Sequence, residues 1–315
     1  MSSNKLLYLS IFSFVFVSSF ALSVTKVSQF YKPQVITISD SHQSVEFPPV
    51  PILVNSMNSP TFSAESVLAI DVDSGVSLYE KNPEIKLLPA STTKMITALT
   101  ALDYYGLDDV VKIENIKVEG QKMGLKEGEE ISIRDLISGL LIYSANDAAE
   151  ALASNFCNPR SLTKISSCGR EYFIQAMNDK ANDLHLDNTY FTNPTGLEGL
   201  GHLTTARDLT RIAIEGMKNP FFRNIVGTKQ TTVISLDGKT KHKLVNLNEL
   251  LEEVNGVLGV KTGWTENAKE NLVTYVERDG RRIVITVLRS DDRFADTKEL
   301  INWIFENYRW KSVRI

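Results

Sequence analysis

Ser91 and Lys94 stand three positions apart in PASTTKM, at the head of a run whose apolar residues, Met95, Ala98, Leu99 and Leu102, recur at helical spacing. Residues three apart on a helix share a face, so this spacing sets a primary amine beside a hydroxyl. A serine hydroxyl is a weak nucleophile at neutral pH and needs a base within hydrogen-bond reach. Lysine is such a base only when neutral, a state that burial and a second nearby cation both favour. Read alone, the stretch is equally a helix start with a proline, capping hydroxyls and a solvated lysine. Partners elsewhere in the chain decide between the two readings.

Such partners are present. Ser144-Ala145-Asn146 interrupts two helical runs, and Lys261-Thr262-Gly263 lies in the strand-like run GVLGVKTGW. In an acyl-transfer site Ser144 would relay a proton to the leaving amine, while Asn146 would hold Lys94 and a substrate amide. Lys261 is the cation that lowers Lys94 and, with Thr262, a cradle for a terminal carboxylate. Arg289 or Arg293 would add a guanidinium, and the sequence leaves that choice open.

S-x-x-K, S-x-N and K-T-G in this order are the motif set of penicillin-binding proteins and class A β-lactamases. LLPASTTKMITALTAL, MGLKEGE, LLIYSANDAAEALA, FTNPTGLEGLGHLTTARDL and GVKTGWTENAKENLV resemble the serine D-alanyl-D-alanine carboxypeptidases, the low-molecular-mass penicillin-binding proteins. The resemblance covers the chain from Phe62 onward. It implies acylation of Ser91 by a peptidoglycan stem peptide ending in D-Ala-D-Ala, loss of the last D-alanine, hydrolysis by water, and acylation of the same serine by β-lactams. It also implies that the Trp264 main-chain N–H joins that of Ser91 in facing the oxyanion. No cofactor or metal is expected. Two readings stand beside this one: a class A-like β-lactamase, which needs a glutamate to direct water, and a non-catalytic penicillin- or cell-wall-binding protein. Thr195 replaces a histidine common in the family, and Lys269 a glycine; neither position touches an assigned role.

Elements must carry these groups to one place. SVLAIDVDSGVSLYE reads as a hairpin turning at Asp73-Ser74-Gly75, IRDLISGLLIY and AAEALASNF as helices, and NLVTYVE and RIVITVL as strands joined through Arg278-Asp279-Gly280. FADTKELINWIFENY closes the chain as an amphipathic helix. Strands at both ends with helices between predict an α/β (α+β) fold: a mostly antiparallel sheet flanked by helices with a helical insertion, β-lactamase/transpeptidase-like in kind. The expected organisation is 1–24 signal peptide or membrane anchor, 25–61 extended linker, and 62–315 catalytic domain.

The first segment rests on LLYLSIFSFVFVSSFALSV, which carries no charge between Lys5 and Lys26, with small residues flanking Phe20 as a signal peptidase requires. Cleaved or retained, it predicts an exported, periplasmic or extracytoplasmic protein, membrane-attached in the second case. Outside the cytoplasm Cys157 and Cys168, the only cysteines, are expected to pair. A formal net charge of −4 offers no basic excess for nucleic acid. His42, His185, His202 and His242 are scattered and are read as surface or satisfied core residues. Val260 stands where a phosphate loop needs glycine, so GVLGVKT is not one.

Overall fold

The computed structural model describes residues 48–55, 59–114, 116–157 and 168–312. The chain divides into two units, Met1–Val45 and Glu46–Ile315, and all described residues belong to the second. The expected signal or anchor therefore lies outside the described residues, as does the loop between the cysteines.

Five strands form one antiparallel sheet in the order β3 (Ser77–Lys81), β2 (Ser66–Asp71), β10 (Arg281–Ser290), β9 (Lys269–Arg278), β8 (Val257–Thr265). Side chains alternate across a strand, and β10 shows the result. Ile283, Ile285 and Val287 enter a core with α8 (Arg293–Asn307), whose Leu300, Ile301 and Ile304 face them. Val284 and Leu288 enter a second, larger core on the opposite face, under the helical insertion. Both faces being covered, the central strands are buried almost throughout, which is why they read as apolar runs.

The insertion contains α1 (Lys94–Tyr104), α2 (Ile133–Ile142), α3 (Asn146–Ser154), α4 (Arg170–Asp183), α5 (Ala206–Lys218), α6 (Pro220–Val226) and the short α7 (Leu250–Glu253). Helix α1 is buried on every side from Lys94 to Ala101, the signature of a helix in a core rather than on a surface. A 3₁₀ turn, Ala90–Thr93, precedes it, so Ser91 sits on the tighter turn and Lys94 opens the α-helix. Caps fix the other starts: Ser132 Oγ accepts from Asp135 N, Thr205 from Asp208 N and Asp292 from Ala295 N.

Three small antiparallel ribbons were not foreseen from sequence: β4 (Val110–Lys112) with β5 (Glu130–Ser132), β6 (Gln230–Ile234) with β7 (Lys241–Val245), and β1 (Val50–Leu53) with β11 (Tyr308–Lys311). The last pair means that the expected linker is extended at its end but not free there. It completes a ladder with the chain's C-terminal strand. Cys157 and Cys168 are joined by a disulfide, with Cα atoms 4.0 Å apart, at the foot of α3 and α4.

Candidate active site

Strand β8 is an edge of the sheet, and the 3₁₀ turn packs against it. Gly263 permits this approach: a Cβ there would lie 3.0 Å from Ser91 N and 3.1 Å from Pro89 O. Gly196, at φ +85°, supports the turn from the other side, where a Cβ would collide with the Ala90 carbonyl. Ala90 (φ 47°) and Ser144 (φ 62°) hold left-handed backbone conformations without being glycine, a strain characteristic of functional sites.

A cavity of about 650 Å³ opens along this contact, and Ser91, Ser144, Asn146, Thr262, Gly263 and Trp264 all line it. Lys94 and Lys261 lie behind its wall. Lys94 is fully buried, its Nζ 3.0 Å from Ser91 Oγ and donating to the Thr195 carbonyl. A carbonyl can only accept, so a neutral Lys94 amine that gives one hydrogen to Thr195 keeps its lone pair for the serine hydroxyl. Burial holds the Lys94 pKa well below its ordinary value, and the neighbouring Lys261 cation adds to the effect against the opposing pull of Asp147 and Glu150. Lys261 is itself lowered to about 7, by burial and then by Arg293.

Three expectations change here. The bond expected between Asn146 and Lys94 is absent. Asn146 Nδ2 donates instead to the Glu119 carbonyl at 2.7 Å, leaving its Oδ1 buried and unpartnered beside the cavity. Position 195 does reach the site, but through its main chain, so threonine in place of histidine leaves the contact with Lys94 intact. Lys261 also differs in placement: it is only 2% exposed and its Nζ donates to Thr262 O, so it acts on the cavity as a charge from beneath.

The two arginines left open by the sequence are placed differently. Arg293 lines the cavity and donates from Nη1 to Gly263 O at 3.1 Å, with its Nε buried and unpartnered. Arg289 forms an exposed pair with Glu65 at 3.1 Å. Among residues that sequence reasoning passed over, Asp147 is the clearest. Its carboxylate accepts from the N–H groups of Met123, Gly124 and Leu125 at 3.0, 2.8 and 3.1 Å, tying that segment to the start of α3. His202 is a satisfied core residue: Thr192 N–H donates to Nδ1, so Nε2 carries the proton and donates to Thr93 Oγ1 at 2.9 Å. Burial and the Lys94 charge lower its pKa to about 4, which keeps it neutral. Among the described residues no cluster suited to a metal ion occurs.

Comparison with known proteins gives the same direction. The D-alanyl-D-alanine carboxypeptidase model of peptidase family S11 matches residues 53–292. This chain belongs to the D-alanyl-D-alanine carboxypeptidase family. It is 31% identical over 255 residues to D-alanyl-D-alanine carboxypeptidase DacF of Bacillus subtilis, covering 78% of this chain and 63% of that one. It is 34% identical over 233 residues to DacB2 of Mycobacterium tuberculosis, covering 73% and 76%. The crystal structure of the Streptomyces K15 DD-transpeptidase superposes with a TM-score of 0.71 at 32% identity, covering 79% of this chain and 99% of that one. The family and the antiparallel α/β architecture expected from the motifs are therefore those of the protein.

Proposed function

We propose that this member of the family is a serine D-alanyl-D-alanine carboxypeptidase that trims peptidoglycan stem peptides through an acyl-enzyme on Ser91. The observation that carries the reading is the 3.0 Å approach of a fully buried Lys94 amine to the Ser91 hydroxyl. Neutral Lys94 takes the hydroxyl proton as Ser91 Oγ attacks the carbonyl of the penultimate D-alanine. The resulting oxyanion faces the main-chain N–H groups of Ser91 and Trp264, donors fixed in advance by the turn and by β8. Ser144 passes a proton to the departing amine, the terminal D-alanine leaves, and water cleaves the ester with Lys94 again as base. The peptide lies along the outer edge of β8, its backbone held there and by the Asn146 side chain. Its terminal carboxylate meets Thr262 and Arg293, with the Lys261 charge beneath.

β-Lactams acylate the same serine on this reading. Residues 1–24 export the chain, as a removed signal or a retained anchor, 25–61 serve as linker, and 62–315 act at the wall. A second reading is favoured by the likeness to a protein named DD-transpeptidase: an amine, rather than water, takes the acyl group. Incubation with a peptide ending in D-Ala-D-Ala separates the cases. Release of free D-alanine, abolished by Ser91→Ala, is the expected result. Release only when an acceptor amine is added favours transpeptidation. Rapid penicillin hydrolysis with an intact peptide would overturn the proposal in favour of a β-lactamase, and no turnover of either in favour of a binding protein.

A further inference from the structure

The cleft does not end at Asn146. Beyond Glu119 and Leu197, which line both spaces, a second groove of about 860 Å³ continues between the segment 116–122 and helices α3 and α4. Three cations, Lys117, Lys122 and Arg170, and two carboxylates, Glu119 and Glu150, line it. Arg170 Nε and Nη2 hold the Glu150 carboxylate at 2.8 and 3.3 Å, so these two charges serve each other. The disulfide between Cys157 and Cys168 closes the connection that brings Glu150 on α3 and Arg170 on α4 together. Lys117 and Lys122 are exposed, and among the described residues neither makes an ion pair. The groove therefore offers one positive charge more than it neutralises, on two arms free to turn inward.

We propose that this groove is a subsite for the part of the substrate upstream of D-Ala-D-Ala, and that Lys117 and Lys122 select a carboxylate on the residue preceding it. The inference rests on the peptidase reading of the site. On that reading the terminal carboxylate lies at Arg293, and the peptide passes between β8 and Asn146. Whatever precedes the scissile region then leaves the cavity past Asn146, Gly120 and Leu197. Gly120 keeps that exit open: a Cβ there would lie 2.8 Å from Asn146 Nδ2 and 4.0 Å from Leu197 Cδ2. Asn146 Nδ2 stands 2.7 Å from the carbonyl of Glu119, a residue that lines both spaces, and an extended residue advances about 3.3 to 3.6 Å, so the residue preceding an amide held at Asn146 lies at that boundary. The strap bearing both lysines is also the one whose Glu119 carbonyl holds Asn146, so an occupied groove bears on the residue that aligns the substrate amide.

The test uses two peptides ending in D-Ala-D-Ala that differ only in the preceding residue, whose side chain carries a free carboxylate in one and its primary amide in the other. The full-length protein is expected to cleave the acid with about threefold to tenfold higher kcat/KM, the range two partly screened charges allow. The preference is expected to shrink as salt shortens the Debye length. The double variant K117Q/K122Q should lose the preference and cleave the two peptides alike, with an unchanged melting temperature and one-to-one labelling by a fluorescent penicillin showing that it is folded. K117E/K122E should reverse it. Equal cleavage of both peptides by the wild type, or a preference that survives in the double variants, overturns the subsite while leaving the peptidase reading intact. A wild type that cleaves neither peptide removes both.

Discussion

Gly263→Ala places one methyl group at the contact on which the site depends. Its Cβ would stand 3.0 Å from Ser91 N and 3.1 Å from both Pro89 O and Thr92 N. Ordinary van der Waals contact begins near 3.4 Å, so the turn and β8 must separate by roughly 0.4 Å. The turn does not yield atom by atom, because Thr92 N and Oγ1 both donate to Pro89 O, at 3.2 and 2.6 Å. Strand β8 is equally held, since Gly263 pairs with Asn271, whose side chain donates to Leu88 O at 2.9 Å and accepts from Arg289 N at 2.8 Å. The turn therefore moves as a unit, carrying Ser91 away from the Trp264 N–H. Overpacking of this kind costs about 1 to 3 kcal/mol. A 1 Å displacement costs on the order of a hundredfold in rate, so 0.4 Å corresponds to about fivefold to tenfold. The assay is the pseudo-first-order rate of labelling by a fluorescent penicillin, read beside the melting temperature. Wild-type labelling and an unchanged melting temperature would refute the argument that this glycine sets the turn against the strand.

Acylation requires neutral Lys94, so its rate is expected to fall as pH drops through the lowered Lys94 pKa. Lys261→Met removes one cause of that lowering and should move the acid limb to higher pH; a limb that stays in place would remove Lys261 from the account. The same group links to stability. An unfolded lysine keeps its proton up to about 10.5 while the folded one has lost it, so the unfolded state binds more protons in that window and stability rises with pH across it. Lys94→Met should flatten this rise in pH-dependent denaturation. Arg293→Ala is expected to reduce kcat/KM for the peptide by about a hundredfold, as loss of a buried charged contact does, whereas Arg289→Ala changes it little; the reverse order would reassign the carboxylate site. Reduction of the disulfide, with its sequence separation of 11, should cost about 3 kcal/mol on the chain-entropy model, seen as a lower melting temperature in reductant.

The parts of the site legible in sequence are those whose geometry is local. Ser91 and Lys94 meet because one turn separates them, and β8, β9 and β10 read clearly because their apolar runs and turn residues are short-range signals. What escaped the sequence was mostly contact between a side chain and a distant main-chain carbonyl. The Thr195 carbonyl at Lys94 and the Glu119 carbonyl at Asn146 leave no side-chain signature, so Asn146 was given the wrong partner. The short ribbons, three to five residues per strand, offer too few positions for periodicity to register. Arg289 and Arg293 are equivalent by proximity in the chain, and only the turn from β10 into α8 separates an exposed pair with Glu65 from a place in the cavity wall.

The central claim is that Ser91 becomes a nucleophile because an uncharged Lys94 accepts its proton. Intact-mass and peptide-mapping analysis after brief exposure to a penicillin tests it most directly, using wild type, Ser91→Ala and Lys94→Met side by side. The account predicts one adduct on the peptide carrying Ser91 in the wild type, none in Ser91→Ala, and labelling slowed by about 10² to 10⁴ in Lys94→Met, the usual contribution of a positioned base. An adduct on another residue, or wild-type labelling without the Lys94 amine, would contradict it.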